Sequence, residues 1–261
     1  HIHTADPGLI LQIGLEYGSL HDLKIENMID QHEAKGSIKY SDTSVDLIPS
    51  SVPHPKGDAG LIAVSFGEGF REIFLSLGVD EIVFGGQTMN PNVSDLLNAV
   101  EKLEQNKVII LPNNKNIIMV AEQVKSLTKK EVEVLNTKTL PEGIAAVISF
   151  KPDGGIKENL VQMRRATDLI KTGLVTYATR NLTFGNLPIE KGQYLGLDGS
   201  EILSAGNILQ DTALELVMKM RSEEFELLTV YYGEDVSPEE GKELVSIIEE
   251  RFPTLEIELH Y

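Results

Sequence analysis

The sequence predicts an α/β fold: a two-lobed domain with mostly parallel or mixed sheets flanked by helices, preceded by a small α/β remnant. Short apolar runs at residues 61–66, 81–84 and 107–111 have the length and composition of buried strands. Segments of ten or more residues with helical periodicity separate these runs. This alternation is typical of a parallel sheet that carries helices on both faces.

The chain divides, by composition, into four parts. Residues 1–35 form a small α/β piece, in which Asp6 and Pro7 suit the start of a helix and Gly18 suits its end. Residues 36–60 are rich in Ser and Pro with little periodicity, which is typical of a linker. The first α/β lobe is expected at 61–153, and the glycines at 154 and 155 introduce a second α/β lobe at 154–261.

The end of the chain repeats an earlier order of elements. Residues 227–261 predict a strand, a Gly-Glu pair, a helix from about 238 to 251 and a final strand. The same order of strand, Gly-Glu, helix and strand is expected over 61–84. We therefore expect two lobes of related topology.

Composition and charge exclude several classes of protein. A formal net charge of -17 argues against binding to nucleic acid or to an anionic lipid surface. There is no apolar run long enough for a membrane span and no signal-peptide pattern, and cysteine is absent from these 261 residues. We expect a cytoplasmic protein. The acidic residues either form solvated helix faces or await a basic partner.

Two polar loops are the strongest candidates for recognition. Gln87, Thr88 and Asn90 follow the strand at 81–84, and Asn113, Asn114 and Lys115 follow the strand at 107–111. Ligands of parallel sheets bind at the carboxyl ends of strands. We expect the two strands to be adjacent and the loops to be neighbours on one rim. Turn and capping chemistry is the alternative explanation for the same residues.

His1 and His3 are a candidate metal site. Alternate residues of a strand share a face, so both imidazoles can ligate one ion, although they can equally be a pair of surface histidines. Nucleotide-binding loops are not evident. The glycines at 67 and 69 fail as a dinucleotide fingerprint, because Glu72 stands where the third glycine is needed.

Five motifs together resemble the large, ATP-binding subunit of bacterial fatty acid kinase, a group also described as dihydroxyacetone-kinase-like or DAK2-domain proteins. The resemblance covers the chain in order. It rests on HIHTADPG at 1–8, KIENM at 24–28, GGQTMNP at 85–91, LPNNKN at 111–116 and YGEDV at 232–236.

The resemblance implies a three-part protein. An N-terminal domain binds ATP and magnesium, a middle domain forms a homodimer and carries zinc and a catalytic cysteine, and a C-terminal domain docks a separate fatty-acid-binding partner protein. On this map residues 1–35 are the end of the middle domain, and His1 and His3 match zinc ligands whose cysteine partner lies upstream.

We therefore expect the docking and scaffold region of an ATP-dependent phosphotransferase that acts on a fatty acid carboxyl group. The first residue is not Met, and we expect a piece of a longer protein without catalytic residues of its own. The rim of Gln87, Thr88, Asn90, Asn113, Asn114 and Lys115 would bind the partner. The alternatives are a pure protein-binding module and a dihydroxyacetone (glycerone) kinase-like protein, and the second ranks last because no histidine is expected beside the rim.

Overall fold

A computed structural model describes residues 58–85, 90–184, 187–221 and 225–261 of the chain. The α/β piece predicted at 1–35, almost all of the predicted linker, and the rim residues Gln87 and Thr88 lie outside these ranges. None of the helices in the described ranges is long and apolar enough to cross a membrane.

A four-stranded parallel sheet forms the centre of the first lobe, in the strand order β2-β1-β3-β4. The predicted parallel sheet is therefore confirmed. Its elements in chain order are β1 (Ala59–Ser65), α1 (Glu68–Ser76), β2 (Glu81–Phe84), α2 (Val93–Lys102), β3 (Lys107–Leu111), α3 (Lys115–Val124) and β4 (Glu131–Val134).

Successive residues of β1 and β3 point to opposite faces of the sheet, and nearly all of them are apolar. Both faces are therefore apolar, and helices cover each of them. Ile62 and Ile110 belong to a core cluster that is completed by α2 and α3. Leu61 and Ile109 belong to a second cluster on the other face, where α1 packs together with α4 (Leu140–Ser149) and α5 (Ile156–Asp168). Each such side chain contributes about 1.5–3 kcal/mol when fully buried.

Helix α5 extends the first core beyond the predicted start of the second lobe at residue 154. Its residues Ile156 and Met163 are buried in the same cluster as Leu61 and Phe74. The glycines at 154 and 155 therefore precede a helix that packs on α4 and belongs to the core of the first lobe.

The chain then forms smaller antiparallel sheets, as the more numerous strands after residue 174 predict. The elements are β5 (Gly173–Tyr177), β6 (Leu182–Phe184), β7 (Leu187–Ile189), β8 (Tyr194–Asp198), β9 (Glu201–Gly206) and α6 (Leu209–Met220). β8 lies between β5 and β9, β6 pairs with β7, and α6 packs on β8 and β9.

The last three elements confirm the prediction that the end of the chain repeats the order of strand, helix and strand found at 61–84. β10 (Leu227–Tyr231) pairs in parallel with β11 (Glu256–His260), and α7 (Pro238–Arg251) connects them. β1, α1 and β2 have the same parallel arrangement. Local chemistry sets the start of α7, because Ser237 caps it and Glu240 completes a capping box.

This capping box gives a pH-dependent test. The backbone N–H and hydroxyl of Ser237 donate to the Glu240 carboxylate and lower the pKa of Glu240 below its ordinary value of 4.5. A carboxylate with a lowered folded-state pKa stabilises the fold above its unfolded pKa, and this stabilisation is lost as pH falls through the folded pKa. Glu240→Ala should lower the free energy of unfolding at pH 7, and its difference from wild type should shrink towards pH 3, as measured by urea unfolding.

Glu239→Ala is the matched control, since Glu239 lies in the same first turn but makes no hydrogen bond within the described residues. A pH-independent loss in Glu240→Ala would contradict the role of the carboxylate.

Candidate functional site

The four parallel strands end at one edge of the sheet, from which the candidate loops start. The prediction that the strands at 81–84 and 107–111 are adjacent is wrong, because β1 lies between them and pairs with both. The chain places β2 on one side of β1 and then crosses to place β3 on the other. The two loops therefore share the edge but flank the loop that follows β1. The crevice between β1 and β3 is the topological switch point at which ligands of such sheets bind.

Asn113 lies inside the fold at this edge. It is only 6% exposed, and its backbone adopts a left-handed conformation with φ of 54°. Its backbone N–H donates to Thr137 Oγ1 at 3.0 Å, and its side-chain Nδ2 donates to the Val64 carbonyl at 3.0 Å. Asn113 thus ties the ends of β1, β3 and β4 together.

The side chain of Asn113 also packs directly against α4. A Cβ atom added to Gly143 would lie 2.2 Å from Asn113 Oδ1, and the three nearest atoms all belong to the Asn113 side chain. Only a residue without a side chain fits there. Among the described residues, neither Asn113 Oδ1 nor the Oγ of buried Ser65 has a hydrogen-bond partner. The edge therefore contains buried polar atoms that the described chain does not itself satisfy.

The other described rim residues face outward. Asn114 is half-buried, and its Oδ1 accepts a hydrogen bond from the Asn116 N–H at 2.9 Å, so capping of α3 accounts for its side chain. Asn90 and Lys115 are exposed and make no side-chain hydrogen bond or ion pair within the described ranges. Lys115 is the first residue of α3, where the helix dipole disfavours a cation. Local structure therefore does not explain either side chain.

A row of aromatic rings begins at Phe66, directly after β1, and sequence reasoning missed it. The Phe66 and Phe70 centroids are 6.2 Å apart, Phe70 and Tyr231 4.9 Å, and Tyr231 and His260 5.6 Å. Burial raises the pKa of Tyr231, and the nearby Glu258 carboxylate adds to this effect. The row connects the edge of the first sheet to β10 and β11.

Two phenylalanines expose their side chains at the ends of strands. Phe66, directly after β1, is 41% exposed, and Phe84, the last residue of β2, is 62% exposed. In a chain with 6% aromatic residues, the sequence signal was an aromatic residue directly before a glycine at each strand end. Exposed aromatic rings surrounded by polar side chains are typical of protein interfaces.

The described residues contain no group of three or more His, Cys, Asp or Glu side chains that is able to hold a metal ion. The predicted metal ligands His1 and His3 lie outside the described residues, so metal binding there stays a prediction.

Comparison with known proteins gives two family matches that together span most of the chain. Residues 60–261 match the model of the C-terminal domain of the FakA-like family of fatty acid kinase subunits. Residues 1–35 match the model of the middle domain of the same family. The match at 60–261 contains the whole of the edge.

Individual relatives match along the full length of the chain. Protein YloV of Bacillus subtilis (strain 168) is 35% identical over 260 residues, and an uncharacterized protein of Staphylococcus aureus (strain USA300) is 36% identical over 260 residues. An uncharacterized protein of Staphylococcus aureus (strain MRSA252) is also 36% identical. Each alignment covers 100% of this chain and 46% of the relative, so the chain spans about half the length of these relatives.

The contact between Asn113 and Gly143 provides a test of how the edge is held. Alanine is favoured over glycine inside a helix by about 1 kcal/mol, whereas overpacking costs about 1–3 kcal/mol. We expect Gly143→Ala to destabilise the fold by up to about 2 kcal/mol. In an Asn113→Ala background the same change should become neutral or stabilising, because the clashing atoms are gone. Chemical denaturation of all four proteins gives the double-mutant cycle.

Gly241→Ala in α7 is the matched control, since a Cβ there would meet its nearest neighbours at ordinary distances of 3.5 to 3.6 Å. An equal cost for Gly143→Ala in both backgrounds would contradict the proposed contact.

Proposed function

We propose that this chain, which belongs to the FakA-like family of fatty acid kinase subunits, is the docking and scaffold region of a fatty acid kinase. In this proposal it holds a separate fatty-acid-binding protein while the carboxyl group of the bound fatty acid receives the γ-phosphoryl group of ATP. The observation that carries the proposal is the exposed polar and aromatic edge of the first sheet, inside the segment that matches the C-terminal family at 60–261.

The side chains on this edge support a docking role. Asn90 and Lys115 have no structural partner among the described residues, and Phe66 and Phe84 are exposed at the same ends of β1 and β2. Protein interfaces place aromatic anchors at their centre and polar groups at their rim. In the proposed surface Phe66 and Phe84 supply apolar contact, and Gln87, Thr88, Asn90, Asn114 and Lys115 supply directional contacts. Asn113 acts from inside the fold by fixing the loop that carries Asn114 and Lys115.

The chemistry divides between this chain and the rest of a longer protein. Phosphoryl transfer depends on metal-held phosphates and on positioning of the acceptor. In this proposal ATP and magnesium bind in the remainder of the longer protein, as the family resemblance implies. The part left to this chain is to position the partner so that the fatty acid carboxyl group meets the nucleotide.

Zinc is assigned to the segment that matches the middle domain. His1 and His3 are suitable nitrogen donors at a spacing that a strand would bring to one face. A structural zinc site needs four ligands, so the remaining donors would come from outside this pair. In this proposal zinc orders the segment before the linker and takes no part in docking.

The docking proposal predicts a loss of partner affinity from changes at the edge. Asn90→Ala combined with Lys115→Glu should weaken binding of the fatty-acid-binding protein by about tenfold or more, equivalent to about 1.4 kcal/mol. The melting temperature should stay nearly unchanged because both side chains are exposed. Isothermal titration calorimetry with the loaded partner protein measures the affinity.

Lys129→Glu is the control, since Lys129 is exposed and lies two residues before β4, at the opposite edge of the sheet. Absence of binding by the wild-type chain at high micromolar partner concentration would contradict the docking proposal.

The division of chemistry gives a separate test. The isolated chain, mixed with ATP, magnesium and the loaded partner, should form no acyl phosphate, because the nucleotide site is assigned elsewhere. Trapping of acyl phosphate with hydroxylamine provides the measurement. Turnover that persists after repeated purification of the chain would show that the nucleotide site lies within these 261 residues.

A further inference from the structure

Helix α5 lies in a locally basic stretch of an acidic protein. Residues 151–180 contain six of the chain's 23 Lys and Arg residues but only three of its 40 Asp and Glu residues. This stretch therefore carries a local excess of positive charge. At physiological ionic strength the screening length is about 8 Å, so a surface in contact with α5 responds to this patch more than to the net charge.

The outward side of α5 carries both cations and apolar side chains, together with the exposed Glu158 and Asp168. Lys157, Val161, Arg165 and Leu169 follow at intervals of four residues, and such residues lie on one side of a helix. Val161 is 51% exposed and Leu169 is 75% exposed. The opposite side is buried in the first core through Ile156 and Met163, and Asn159 is buried beside the loop that precedes the helix. We call Lys157, Val161, Arg164, Arg165 and Leu169 the α5 ridge.

The cations of the α5 ridge have no carboxylate partners in the part of the chain that the structure describes. Within the described ranges Lys157, Arg164 and Arg165 form no ion pair. Elsewhere Lys102 pairs with Glu81 at 2.7 Å and Lys219 pairs with Glu215 at 2.6 Å. The chain has 40 Asp and Glu residues against 23 Lys and Arg residues, so most cations could find a carboxylate partner. Because the ridge cations have none among the described residues, their charge is available to another molecule.

The C-terminal end of the ridge approaches the candidate docking edge. Just beyond Leu169, the hydroxyl of Thr172 lies 3.0 Å from that of Thr139, which caps the start of α4. The first turns of α4 contain Gly143, which contacts the Asn113 side chain at the edge. A partner that covers the loop after β3 therefore reaches the end of the α5 ridge without crossing the molecule.

We propose that the α5 ridge is a second docking surface, which binds an acidic patch with an apolar centre on the fatty-acid-binding partner; this rests on the proposed function. The occupant follows from charge complementarity, because unpaired Arg and Lys side chains around Val161 and Leu169 suit carboxylates around an apolar contact. A flat anionic membrane is disfavoured, because it would be repelled by the rest of an acidic protein. A second copy of this chain is disfavoured for the same reason, because both copies have a formal net charge of -17 and would repel each other.

The test reverses charge on the ridge and compares it with an equal reversal elsewhere. Arg164→Glu combined with Arg165→Glu should raise the Kd for the loaded fatty-acid-binding protein by roughly tenfold or more. Lys129→Glu combined with Lys242→Glu changes the net charge by the same amount at exposed residues outside the ridge, and should change the Kd by less than about twofold. Val161→Gln, which leaves the charge unchanged, should also weaken binding.

The outcomes separate the two proposals. If the wild-type chain does not bind the partner, the docking proposal fails and the ridge proposal fails with it. If the wild type binds, and the double arginine variant and Val161→Gln both bind the partner as tightly as the wild type does, the ridge proposal alone is overturned. Binding of the wild type, but not of the ridge variant, to phosphatidylglycerol vesicles would overturn it in favour of a membrane. A concentration-dependent dimer in sedimentation velocity that the ridge variant abolishes would overturn it in favour of a second copy.

Discussion

Burial of β1 on both faces is the constraint on which the rest of the structure depends. All seven residues of Ala59–Ser65 are buried, and alternate side chains supply the two separate cores. Because β1 pairs with β2 on one side and β3 on the other, both helical layers are assembled around it. The same placement brings Phe66 between the two polar loops. The strand that organises the core thus also organises the surface through which we propose the chain acts.

Apolar runs and capping residues in the sequence were sufficient to predict the bounds of an element wherever a short segment determines its own structure. The bounds of β2, β3 and α7 follow from an apolar run or from a capping sequence, and both were readable without tertiary contacts. The order of strands was not readable in this way. The same runs allow β3 to lie beside β2 or beside β1, and the choice depends on which way the chain crosses the sheet. The adjacency predicted for the two loops failed for this reason.

The candidate site shows the same division within one loop. Asn113 and Asn114 are identical in type and adjacent in sequence, yet one is buried between strand ends and the other caps a helix. Their difference is set by the positive φ of Asn113 and by Gly143 on another helix. The aromatic row was equally hidden, because Tyr231 and His260 reach Phe70 only through the placement of β10 and β11. Residue types predicted a polar edge, but long-range contacts determine which of its side chains a partner meets.

The strand order also bears on how the protein folds. β1 pairs with β3 only after the chain between them has closed a loop that contains α1, β2 and α2. The two strands of such a parallel pair are far apart in sequence. The entropic cost of closing the loop between them comes before the stabilisation from burying their side chains. Until β3 arrives, one edge of β1 and its apolar faces remain open to other chains. We therefore expect this region to fold more slowly than a helical domain of similar size, and to be most prone to aggregation before the sheet closes.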